Sequence, residues 1–280
     1  MPKKFIYHPF IRILIGLLVV TSFGTAGQVL SQSFLKNIHM GNDYKNLITA
    51  AAVAALASLS YIVLFRFYEK RQITEMKFSR FGKNAGIGFL TGFVLQSLVI
   101  LVIFIGGGYS VIKSNQVSFI IPGLAIALSS AIFEEILFRG IIFRIVEEKW
   151  GSIIALVVSA LIFGFLHIFN KNASIYSTIA IAAEAGILLA AAYIYAKNLW
   201  LPIFLHFAWN FAEAGIYGAV ISGNVTNKSL FTAKFSGPQL LTGGAFGPEN
   251  SLQAVLFCLG AALLFILAAK RGNKIVKISR

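Results

Sequence analysis

Three short constellations combine residue types that do chemistry, and each lies in a stretch otherwise fit for hydrocarbon. The first is Glu134-Glu135, followed by Arg139. Glu135 and Arg139 stand four apart, on one helical face, where they can neutralise each other. Glu134 points about 100° away from Glu135 and has no partner in its own helix, which leaves it free to act as a general base. A structural pair that pins helices together is the competing reading, although one Glu would satisfy Arg139. The second constellation sets Phe163 four residues before His167, and the third sets His206 four residues before Asn210. His8 and His39 sit at polar segment edges and need no special explanation. One histidine in an apolar helix is more often a hydrogen-bonded core residue. Three polar faces in so apolar a chain are another matter, because lipid excludes them and they must turn toward one another.

The chemistry that suits these groups is hydrolysis. Glu134 can hold and deprotonate a water, and His167 can orient the same water or ligate a metal. His206 and Asn210 can donate hydrogen bonds to the oxyanion of a tetrahedral intermediate. Glu134, His167 and His206 would also suffice as ligands for zinc. A site that requires no cofactor is preferred here, with a divalent metal as the alternative.

The elements that must position these residues are membrane spans. Of 280 residues, 58% are hydrophobic and only 12% charged, and the mean hydropathy is +0.81. The expected fold is all-α, a polytopic helical bundle with spans near residues 13–35, 47–67, 85–105, 119–143, 153–169, 175–196, 199–221 and 252–269. It forms a single membrane domain over 1–280. The first span is long and lacks a clear small-x-small cleavage site, so it reads as an uncleaved helix rather than a signal peptide. The charged linker 66–83 suggests an amphipathic interfacial helix with Phe67, Ile73, Met76 and Phe81 toward lipid. Residues 223–250 read as the one long loop. Span arithmetic at 1.5 Å per residue sets Glu134, His167 and His206 at depths more than about 10 Å apart.

Charge supplies the topology. The net charge of +14 comes from Lys and Arg clustered between apolar runs, sixteen on one side and six on the other. That asymmetry places both termini in the cytoplasm and the protein in the cell membrane. The basic clusters lack the interleaved aromatics of a nucleic-acid surface, so no nucleic-acid partner is expected. Cys258 is the single cysteine, which excludes an intrachain disulfide.

Glu-Glu-x-x-x-Arg (134–139), Phe-x-x-x-His (163–167) and His-x-x-x-Asn (206–210), in this order on successive hydrophobic helices, resemble the CAAX-protease and bacteriocin-processing (Abi) family. That family contains the type II CAAX prenyl endopeptidases. The resembling region, about 120–211, covers roughly a third of the chain and would be its catalytic core. Residues 197–203 and the stretch Thr242-Gly243-Gly244-Ala245-Phe246-Gly247-Pro248-Glu249 are similar to bacterial members too. The resemblance implies Glu134 and His167 as the water-activating pair, His206 with Asn210 as the oxyanion site, and Glu135 with Arg139 as the supporting pair. It implies an intramembrane endopeptidase whose partners are the lipid bilayer and a peptide or membrane-protein substrate. Prenylated C-terminal peptides are the eukaryotic precedent. Members have been viewed both as metalloproteases and as metal-free enzymes with a glutamate-activated water.

Other intramembrane proteases are excluded by composition. Asp43 is the only aspartate, and neither His-Glu-x-x-His nor Gly-x-Ser-Gly occurs. A non-catalytic scaffold of the same fold and a proton-coupled transporter are the alternatives, though the inverted repeats of a transporter are not evident. Glu184 and Glu213 lie outside the motifs. Glu184 is expected to hydrogen-bond within the bundle or to line a cavity, and Glu213 to support the site or end a helix. Substrate would arrive laterally from the membrane or through the cytoplasmic face.

Overall fold

A computed structural model describes residues 6–278. Lys3, Lys4 and Arg280, counted above among the basic-side charges, lie outside the described residues. In hydrocarbon every backbone N–H and C=O must be paired internally, and helices achieve this within one segment. Among the described residues eight main helices result. α1 is Pro9–Leu35, α2 is Asn42–Tyr68 and α3 is Phe81–Ile105. α4 begins with Ile121–Glu135 and continues through a π-helical stretch, Ile136–Phe143. The helical segment Arg144–Leu166 breaks at Gly151, where φ is 79°, so α4 ends at residue 150 and α5 covers 152–166. The apolar run Val117–Phe169 has 53 residues; unbroken, it would measure about 80 Å against a hydrocarbon core of about 30 Å. The Gly151 break divides it into two spans.

α6, Ile175–Ala196, contains a second π stretch at Ala182–Gly186. α7 is Trp200–Asn210, prolonged by a third π stretch, Phe211–Ile216, and α8 is Leu252–Arg271. Among the described residues, six helical runs are long and apolar enough to cross a membrane, the divided run counting once. The protein is an all-α integral membrane bundle. Boundaries shift from the sequence reading at several ends: α1, α2 and α3 begin earlier, α4 runs on through its charged end to residue 150, and α7 stops at 216. The 223–250 stretch is also more ordered than a loop. β2, Phe231–Phe235, pairs antiparallel with β1, Tyr109–Ser114, across a bulge between Val111 and Lys113.

α7 is held tightly against α3. A Cβ added at Gly92 would stand 2.1 Å from the Leu205 carbonyl oxygen, and one at Gly88 would stand 2.3 Å from that of Leu201. Glycines four apart allow this backbone approach, the usual way for membrane helices to pack closely.

The charged linker corrects the sequence reading. Residues 69–77 are irregular, followed only by a short 3-10 turn at Phe78–Arg80, and they fold inward instead of lying as an interfacial helix. Met76 is buried, while Phe67 and Phe78 are exposed. The cause is ion pairing. Glu69 accepts from Arg12 at 2.8 Å, Arg71 at 3.0 Å and Arg144 at 2.9 Å. Glu148 joins Arg12 at 2.7 Å and Arg144 at 2.6 Å. Glu75, also buried, pairs with Arg71 at 2.6 Å and accepts from the Tyr61 hydroxyl. Burial acts to raise both carboxyls, yet the hydrogen bonds and charge of the guanidinium groups outweigh it and hold Glu69 and Glu75 below the usual carboxylate range. The Glu75 carbonyl accepts from the Leu199 amide at 2.8 Å, so the linker covers the α6–α7 turn.

Candidate active site

The Glu pair ends the α-helical part of α4, and the π stretch begins with the next residue. π geometry is rare and concentrates at functional sites; here α4, α6 and α7 each adopt it beside the buried polar groups. Arg139 links three helices. Its Nη1 donates to Glu135 Oε1 at 2.7 Å, and its Nη2 donates to the carbonyls of Ala185 at 3.2 Å and Gly186 at 3.1 Å. Those carbonyls belong to the π stretch of α6. The guanidinium also lies 4.9 Å from the Phe163 ring centroid on α5. Glu135 and Arg139 are both 0% exposed.

α7 presents its motif to α4. His206 Nδ1 lies 3.1 Å from Glu135 Oε1, and Asn210 Nδ2 donates to Ser130 Oγ at 3.0 Å. His167 Nδ1 lies 2.8 Å from the Phe163 carbonyl. A carbonyl can only accept, so Nδ1 carries the proton there and Nε2 of a neutral ring is left as an acceptor. The Phe163 ring spans the two histidines, 4.7 Å from His167 and 6.3 Å from His206 between ring centroids. His167, His206 and Asn210 thus line one cavity of about 30 Å³, space for a water molecule.

This arrangement corrects the depth arithmetic. His206 is seven residues into the seventh expected span, yet Asn198 and Leu199 at its start are 0% exposed, beneath the 69–77 segment. The α6–α7 turn is therefore covered by protein, and His206 meets His167, at the end of α5, across one cavity.

Residues 116–212, the stretch that holds all three motifs, match the family model of the type II CAAX prenyl endopeptidase Rce1-like proteins. This stretch is similar to that family. Within the chain, 79 residues are 37% identical to "Putative membrane peptidase YdiL" of Bacillus subtilis (strain 168), covering 28% of this chain and 30% of that protein. The chain thus aligns with under a third of its relative's length. No solved structure matches the chain.

Within the Rce1-like stretch, Glu134 stands apart from the other motif residues. It is half-buried, forms no ion pair among the described residues and does not line the cavity. The zinc alternative needs Glu134, His167 and His206 to converge. Among the described residues, no three His, Cys, Asp or Glu side chains are grouped so as to hold a metal ion. The donor set is not assembled, and no step below passes through a metal.

Several residues of the site escape a motif reading. Ser130, which holds Asn210, lies one turn before Glu134, and nothing in an apolar Ser-Ser step marks it. It also lines a second cavity of about 540 Å³ between α1, α2 and α4, with Thr25, Gln28, Thr49 and Ser129. Glu184 and Glu249 line the smaller cavity beside the histidines. Glu213 is fully buried but is not on that wall.

Proposed function

We propose that the protein is an intramembrane endopeptidase that hydrolyses a peptide bond of a membrane-associated peptide or protein. One observation carries the reading: within the stretch that matches the Rce1-like model, His167, His206 and Asn210 bound a water-sized cavity, and His206 is in turn held by Glu135. Glu134, with no ion pair to occupy it and off the cavity wall in this structure, turns toward the cavity to take a proton from the attacking water. His167, whose Nδ1 proton is committed to the Phe163 carbonyl, offers Nε2 to hold that water in line. Attack on the peptide carbonyl forms the C–O bond and places negative charge on the carbonyl oxygen. Asn210 donates to this oxyanion through its amide, and His206 through Nε2 when its ring carries both protons, with Glu135 as counter-ion. Collapse expels the amine, which receives the proton held by Glu134. Glu135 and Arg139 support this set by fixing His206 and joining α4 to α6.

Composition puts the work in the bilayer, and the excess of basic residues puts the ion-paired face in the cytoplasm of the cell. Residues 120–211 then act as the catalytic core of a single membrane domain. No cofactor is needed in this scheme. The alternative is a divalent metal, with Glu134, His167 and His206 as ligands after rearrangement.

The test is cleavage of quenched fluorogenic peptides, prenylated ones included, by purified wild type and Glu134→Gln with and without a strong chelator. Loss of cleavage in the variant at unchanged thermal stability is expected, with indifference to chelator. Full cleavage by Glu134→Gln would refute the assignment, and loss with chelator would transfer it to a metal.

A further inference from the structure

Two carboxyl groups share the catalytic cavity without any role in the scheme above. Glu184 is 1% exposed and Glu249 is 3% exposed. Both line the cavity with His167, His206 and Asn210. Glu184 Oε2 and Glu249 Oε1 have no hydrogen-bond partner among the described residues, and neither group is in an ion pair there. Arg139, the nearby cation, is already committed to Glu135 and two carbonyls. Burying a carboxyl without a partner is costly, so two of them facing one cavity call for a ligand.

The fold is built to deliver one of these groups. Glu249 follows Gly247, where φ is +123° and an added Cβ would stand 2.1 Å from the Val220 carbonyl oxygen. Asn250 Nδ2 then donates to the Gly243 carbonyl at 3.2 Å, and Ser251 caps α8. The Thr242–Glu249 stretch is thus a rigid inward turn that sets a carboxyl opposite Glu184 on α6.

We infer that Glu184 and Glu249 form a subsite for a primary ammonium, so that the substrate carries a lysine side chain at or next to the bond that is cut. An ammonium is a compact cation with three donors on a flexible stem, able to reach two carboxyls on one wall. Because the same wall carries His206 and Asn210, the bound lysine registers the neighbouring peptide bond. This subsite rests on the endopeptidase reading for its purpose, but its binding of a cation can be measured without catalysis.

The experiment has two arms. In the first, purified wild type, Glu184→Gln and Glu249→Gln are heated with pentylammonium, and with pentanol as the uncharged control. In the second, paired peptides with lysine or norleucine at each position around the cut are compared by kcat/KM. The expected results are a Tm rise with pentylammonium beyond that with pentanol, and a lysine preference of about 10–100-fold, the span of one or two charge-assisted hydrogen bonds. Both effects should shrink in either variant. Equal stabilisation of wild type by pentylammonium and pentanol overturns the inference. So does a lysine-to-norleucine ratio near one among cleaved peptides, or an ammonium effect that persists in both variants. A variant-sensitive ammonium effect with no peptide cleaved upholds the subsite and counts against the endopeptidase. If the variants do not fold, the wild-type comparisons alone decide.

Discussion

Arg139 is fully buried, and its guanidinium holds Glu135 together with the carbonyls of Ala185 and Gly186. Arg139→Met keeps much of the side-chain volume while removing all three contacts. Breaking a buried pair from one side costs about 3–5 kcal/mol, because the remaining charge is left uncompensated. The two carbonyls lose a donor as well, although each retains its place in α6. For a chain of this size, about 2–4 °C of Tm per kcal/mol gives an expected fall of about 6–20 °C. Cys258, the lone cysteine, is 1% exposed, so a thiol-reactive fluorophore added to detergent-solubilised protein reports unfolding directly. The companion Glu135→Gln/Arg139→Met removes both charges and should recover about 1–4 kcal/mol relative to the single variant. A fall below about 1 kcal/mol for Arg139→Met, or a double variant less stable than the single one, would refute the claim that a buried ion pair joins α4 to α6.

Gly92→Val should prevent α3 and α7 from docking, since even a Cβ there meets the Leu205 carbonyl at 2.1 Å; a monodisperse, folded variant on size exclusion would contradict this. Acid should weaken the ion-paired face. Glu69 and Glu75 have folded pKa values held below the unfolded value of about 4.3, so their contribution is present above that pH and is lost as pH falls through the folded values. Thermal stability is therefore expected to drop below about pH 4.3, less steeply in Glu69→Gln, and an identical profile in that variant would count against it. Ser130→Ala frees the Asn210 amide that it now holds. As a positioning change it should lower kcat about tenfold with KM little altered, with recovery in Ser130→Thr; a KM effect alone would argue for substrate contact instead.

Much of the bundle was legible because hydrocarbon imposes strict rules. Apolar runs of span length, separated by Lys and Arg, yield eight helices, and the structure shifts mainly their ends. Charged residues at those ends misled the reading in two ways. Glu147 and Glu148 look like a turn yet continue α4, where Glu148 completes the Arg12–Glu69–Arg144 network. The linker after α2 has the composition of an interfacial helix, but its carboxylates find guanidinium partners from α1 and α4, and pairing outweighs amphipathicity. Spacing alone could identify Glu135 and Arg139 as neighbours, since they share a helix.

What the sequence by itself determined is the chemistry available: which helices carry a carboxylate, an imidazole or an amide that lipid will not accept. Those residue types and their i,i+4 spacing are local properties, readable without knowing any partner. Only the tertiary structure decided which groups meet. His206 faces Glu135 rather than Glu134, Asn210 rests on Ser130, and Glu249 reaches the cavity from a distant glycine turn. These contacts depend on π stretches that rotate three helices out of α register and on a covered α6–α7 turn. Neither feature has a local sequence signal, because both arise from how backbone carbonyls and buried charges are satisfied across helices.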